Sequence, residues 1–152
     1  MQVILSVGEL RWAEAIGRRR FNAKTSGKLD IDILGACGEM ALCIALGGRY
    51  RPTFDAFHKG RDTKPDVVID GQGYHVRTGR PDGRLLIIRR NDCDGRYVLV
   101  TGEGADYTIH GWYDVRMDRI RQLPTVDFNG RGQPCWVIQR DDLTEFTSAA
   151  RL

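Results

Sequence analysis

The sequence predicts an α+β domain: a mixed, largely antiparallel β-sheet of about five to six strands, covered by two N-terminal helices. Three observations carry that expectation. Apolar residues recur at helical spacing ahead of Gly47, and short β-rich runs separated by tight turns crowd the stretch from Asp66 to Tyr113. Two of those runs, Leu85–Ile88 and Tyr97–Val100, are apolar without alternation, as strands covered on both faces are. With no linker-like stretch and no internal repeat, residues 1–152 are expected to be a single domain.

The first helix is expected from about Val7 to Lys24, where Leu10, Ala13, Ile16 or Gly17 and Phe21 recur at spacings of three and four, with Thr25-Ser26-Gly27 ending it. The second should run from about Ile31 to Leu46, with Asp30 as its cap and Gly47-Gly48 as its stop. Its later part is apolar on all sides except for Glu39, so it should be packed on several sides. Arg49 to Lys64, with Tyr50, Phe54 and Phe57, reads as a loop that packs back onto the body. Strands then follow at Asp66–Ile69, Tyr74–Thr78, Leu85–Arg89 and Tyr97–Thr101. The turns between them, at Asp70-Gly71, Pro81-Asp82-Gly83 and Asn91 to Gly95, predict an antiparallel meander. A further strand is expected from about Tyr107 to Tyr113 and a short helix from Asp114 to Leu123 ahead of Pro124. A loop through Gly130 and Gly132 leads to a last strand at Cys135–Ile138, and the strand-embedded Trp112 and Trp136 read as packing residues.

At 152 residues and 41% hydrophobic content the chain can bury a core without disulfides or structural metal. A net charge of +3, from 23 basic and 20 acidic residues, favours polyanions only mildly and names no partner. Cys37, Cys43, Cys93 and Cys135 form no CxxC pair, so reduced thiols are expected rather than a zinc site. Met1 to Val7 is a short apolar run soon followed by Glu9 and Arg11, unlike a signal peptide, and no apolar stretch approaches the ~20 residues that span a bilayer. The expectation is a cytoplasmic protein without membrane association.

Glu39 is the only charged residue between Leu34 and Leu46, and a bare carboxylate among apolar neighbours costs several kcal/mol unless a cation or donors meet it. It either points into a functional cleft, the expectation here, or pairs with an arginine of the first helix or the sheet. Pro65-Asp66 opens a strand, and the turn at Asp70-Gly71 brings the next strand alongside, so Asp66, His75 and Arg77 can lie near one another. His75 and Arg77, two apart on a strand, share a face.

Glu39, Pro65-Asp66 and the step from Asp66 to His75 together resemble the PD-(D/E)XK nuclease superfamily, in which a helix glutamate precedes a PD at a strand start and a (D/E)-x-K on the neighbouring strand. The resemblance implies a restriction-endonuclease-like core. It also implies a metal-dependent DNA nuclease, with Mg²⁺ or Mn²⁺ held by Glu39 and Asp66 against the scissile phosphate. Glu39, Asp66, His75 and Arg77 would be its catalytic residues. His75 stands where the family has an acid and Arg77 where it has lysine, and arginine can clamp a phosphate but not act as a base. The turn from Asn91 to Gly95 is also too short for the helix that the family's core carries there. The chain is similar as well to small phage-encoded proteins, through Gly35-x-x-Gly-Glu39, Val76-Arg-Thr78, Gly111-Trp112 and Pro134-Cys-Trp136.

Arg18, Arg19, Lys59 and Lys64 are the candidate nucleic-acid contacts, although successive helix residues such as Arg18–Arg20 splay around the axis. His58 and His110 read as structural. Two functions from different classes are open: a metal-dependent DNA endonuclease, or a nuclease-derived module that no longer cuts but binds DNA or a protein, as a phage regulator or inhibitor of host defence would. A homo-oligomer, or an interaction protein with no nucleic-acid role, is a further alternative.

Overall fold

The structure is a computed structural model that describes residues 1–23, 27–52, 64–128, 130 and 132–147. The described residues are mixed α+β, with three helices and a curled, mostly antiparallel five-stranded sheet, accompanied by a second sheet of two strands.

Strand β1 (Gln2–Ile4) leads into helix α1 (Val7–Asn22), whose start is fixed by a capping box between Ser6 and Glu9. Helix α2 (Leu29–Ala45) follows, with Lys28 rather than Asp30 at its N-cap and Gly47, at φ +71, just past its end. Its run from Ala36 to Cys43 is wholly buried, as the all-round apolar pattern requires. Strands β2 (Val67–Ile69), β3 (Gln72–Gly79), β4 (Leu85–Ile88), β5 (Gly95–Glu103) and β6 (Asp106–Val115) come next. Helix α3 (Met117–Ile120), strand β7 (Trp136–Gln139) and a 3-10 turn at Arg140–Asp142 complete the order.

The main sheet runs β1-β6-β5-β3-β2, and its pairs are antiparallel except for β3 and β5, which are parallel. This corrects the expected meander. β4 does not lie between β3 and β5 but leaves the sheet and pairs antiparallel with β7, Leu86 opposite Ile138 and Ile88 opposite Trp136. Two parallel neighbours need a crossover, and the 80–94 segment, β4 included, supplies it. The short run at Gln2–Ile4 forms an edge strand that the apolar pattern alone did not announce, and the helix expected over 114–123 shrinks because β6 continues to Val115.

Two apolar clusters sandwich the main sheet. On one face α2 packs with α1 outside it, and Tyr74, Val76, Val98 and Val100 meet Met40, Ala41 and Ile16. On the other face Tyr97, Leu99 and Val115 meet Leu86, Ile88, Trp136, Ile138 and Ile120. β5 is therefore covered on both faces, as its unbroken apolar run predicts, although its outer cover is the small sheet and α3 rather than a helix from the N-terminal pair. Gly38 seats α2 on β3, since a methyl there would run into the Thr78 side chain. Phe54 and Phe57 lie outside the described residues.

Candidate functional site

The divergence of β4 from the main sheet leaves an open cleft of about 1050 Å³ between the two sheets. Its main-sheet side carries Asp66, His75, Arg77 and Tyr97; the opposite side comes from Ile87, the turn at Arg89–Asp92, and the segment around Phe128 and Pro134. Alternation along β3 decides what reaches it: Tyr74 and Val76 point to the helices, and His75 and Arg77 to the cleft.

Asp66 sits one residue before β2, where its Oδ2 accepts the Val76 N–H at 2.7 Å. This bond continues the β2–β3 ladder through a side chain and holds the carboxyl at the sheet edge. Arg77 Nη2 meets Asp92 Oδ1 at 2.7 Å, and the other Asp92 oxygen accepts the Arg89 N–H at 2.8 Å. Asp92 thereby ties the 89–92 turn to the guanidinium. Burial works against the Arg77 charge, but the Asp92 carboxylate beside it, aided by Asp66, leaves its pKa raised.

His75 is buried and stacks on Tyr97, with ring centroids 4.6 Å apart, while Arg77 lies over the same tyrosine ring at 5.1 Å. The Cys93 sulfur lies 3.5 Å from His75 Nε2, and the Tyr97 hydroxyl donates to the Cys93 carbonyl at 3.1 Å. Gly95, at φ +154, allows this packing, because a Cβ there would stand 3.0 Å from the imidazole. Burial, then the charges of Asp92 and Cys93, push the Tyr97 hydroxyl up, so it stays a neutral donor.

Glu39 takes a different place. It comes from α2, which packs on the helix-facing side of β3, and it is not among the cleft-lining residues. Arg20 donates to both its oxygens, each at 2.8 Å, and the Tyr50 hydroxyl donates to Oε2 at 2.7 Å. Glu39 is 6% exposed, and burial pushes its carboxyl up while the Arg20 fork opposes the shift; Asp66 adds to the rise, so the two acids sense each other's charge. For Arg20, burial is outweighed by Glu39 and the pKa rises. The pairing with a first-helix arginine, the alternative open at the sequence level, is what the side chains make.

The metal expected at Glu39 and Asp66 can be tested against these contacts. Both Glu39 oxygens already accept from donors, one Asp66 oxygen is committed to the backbone, and His75 and Arg77 face the other side of β3. This donor set does not fit Mg²⁺ or Mn²⁺, which need several oxygens turned on one point.

Of the expected nucleic-acid contacts, Arg18 and Arg19 are exposed on α1 and Lys64 is exposed ahead of Asp66; none lines the cleft, and Lys59, like His58, lies outside the described residues. His110 bonds Thr101 Oγ1 at 2.7 Å, a structural role, and all four cysteines are free. Sequence reasoning missed Tyr50 and Asp92 as partners and Phe128 as a cleft residue. The turn of Asn91 to Gly95 carried the one available signal, two aspartates flanking a cysteine beside a strand arginine.

Comparison with protein-family models, with curated proteins and with solved structures found no match to this chain.

Proposed function

We propose that this protein is a nuclease-derived module that binds DNA and does not cut it. The observation that carries the reading is the Arg20–Glu39–Tyr50 cluster. The helix glutamate that a PD-(D/E)XK site would turn on a metal is instead neutralised by a two-pronged guanidinium and a hydroxyl. The substitution of Arg77 for the family's lysine points the same way, because a guanidinium held by Asp92 contributes charge and hydrogen bonds but no general base. What the cleft retains toward a phosphate backbone is its two outer arginines, Arg89 and Arg90, beside the Asp92-paired Arg77.

The reading is tested by incubating supercoiled and linear DNA with the protein in Mg²⁺ or Mn²⁺, beside Asp66→Asn and Glu39→Gln. A salt-sensitive mobility shift without cleavage is the expected result. Metal-dependent cutting that both substitutions abolish would overturn it. That outcome would establish the second reading, a metal-dependent endonuclease, which one observation favours: Asp66 and Glu39, far apart in sequence, come close enough for their charges to interact. No shift of any DNA, even at low salt, would leave a protein-binding module in place of both.

A further inference from the structure

The charges around the cleft are balanced. Arg77, Arg89 and Arg90 face Asp66, Asp92 and Asp127, three against three, so attraction for a polyanion cannot by itself hold a duplex there. The two outer arginines nonetheless stand ready: both are exposed, and among the described residues no carboxylate lies within ion-pair distance of either guanidinium.

Beside them is a ring that, among the described residues, belongs to neither apolar cluster. Phe128 lines the cleft and is 50% exposed, on a segment that is exposed from Arg121 to Phe128. Leaving that much aromatic surface in water forgoes burial that would otherwise stabilise the fold. Deeper in, Tyr97 also lines the cleft, with the His75 ring stacked on it. An exposed aromatic, unpaired arginines and a volume of about 1050 Å³, just above the roughly 300–1,000 Å³ of small-molecule sites, fit a ligand with a flat aromatic part and an anionic part. A duplex offers proteins its base edges and keeps its base faces stacked inside; only unpaired nucleotides can lay a base on a phenylalanine.

Resting on the DNA-binding reading above, we propose that the cleft takes the unpaired nucleotides of single-stranded DNA, with Phe128 as the stacking platform and Arg89 and Arg90 as the phosphate contacts.

The test is fluorescence anisotropy with a labelled oligothymidine, a duplex of equal length and a free thymidine nucleotide as competitor. Wild type should bind the single strand at least about 10-fold more tightly than the duplex, with the mononucleotide a weak competitor. Phe128→Ala should lower single-strand affinity by about 5- to 150-fold, the range for losing one stacked base. Phe128→Tyr should restore it. The Arg89→Ala/Arg90→Ala double variant should weaken binding and flatten its dependence on salt. Duplex affinity equal to or above that of the single strand would overturn the proposal while leaving the DNA-binding reading intact, and so would an unchanged Phe128→Ala. Competition by the mononucleotide at the strand's own affinity would reassign the cleft to a free nucleotide. Absence of binding to every DNA would sink the broader reading and this one with it.

Discussion

Arg20→Ala isolates the interaction on which the functional reading turns. The Arg20 and Glu39 side chains are 13% and 8% exposed, so the pair is shielded from solvent, and the truncation would leave the Glu39 carboxyl buried beside the Tyr50 hydroxyl, either charged without its cation or forced to take up a proton. Removing one member of such a pair costs about 3–5 kcal/mol, because the survivor is left desolvated without its counter-charge or must be neutralised. For a domain of this size 1 kcal/mol corresponds to about 2–4 °C in Tm, so a drop of roughly 6–20 °C is expected in a thermal melt. The double variant Arg20→Met/Glu39→Leu removes both charges and should recover most of the loss, since apolar residues replace a buried pair at little cost. Urea titration of wild type, both single variants and the double variant closes the cycle, with a coupling energy of about 2 kcal/mol or more expected between the two positions. A loss below about 2 °C for Arg20→Ala, or strict additivity in the cycle, would refute the argument, for the glutamate would then be free to serve a ligand.

Gly38→Ala should destabilise by about 1–3 kcal/mol in the same melts, despite alanine's better helix propensity, because its methyl meets Thr78. Asp92→Ala removes the acceptor for Arg77 and for the Arg89 N–H, and should cost about 1–3 kcal/mol with faster amide exchange confined to the turn. His110 has its pKa lowered below the ordinary 6.5, by burial and then by Arg140 and the N-terminus. The unfolded chain therefore takes up this proton first as pH falls, so stability drops as acidification passes below about 6.5. His110→Gln should show a smaller loss between pH 7.5 and 5.5 than wild type. Burial pushes the Cys43 thiol up to about 12, so under native conditions at pH 8 it should resist alkylation while the partly exposed Cys93 reacts.

Most of the elements were legible in the sequence because period and punctuation mark them locally. The β2–β6 runs and the β7 run each carry a β-rich core between turn residues, and α2 carries its apolar girth. Pairing was less legible. Nothing in Leu85-Leu86-Ile87-Ile88 says whether it will lie beside β3 or beside the distant strand β7, since an apolar run is equally content with either neighbour. The same holds at the site. His75 and Arg77 share the cleft as their two-residue spacing requires, and Asp66 stands next to them because a tight turn joins their strands. Glu39 could be recognised as needing a partner, but whether that partner is a cation in solution or Arg20 depends on how α1 is rotated against α2, which a sequence does not encode in any short motif.

The detour of β4 sets how the cleft can behave over time. Part of its far wall, Ile87 and the turn that follows it, hangs on a ribbon of four paired positions packed on the body through Leu86, Ile88, Trp136 and Ile138, and a two-stranded ribbon has little stability of its own. The near wall belongs to a five-stranded sheet. Thermal fluctuations will therefore detach one jaw and leave the other rigid, and backbone deuterium uptake should run ahead in Leu85–Ile88 and Trp136–Gln139 relative to β5. The aperture is thus an equilibrium quantity, and trimming Ile88 or Ile138 should widen its fluctuations without altering any residue that lines it.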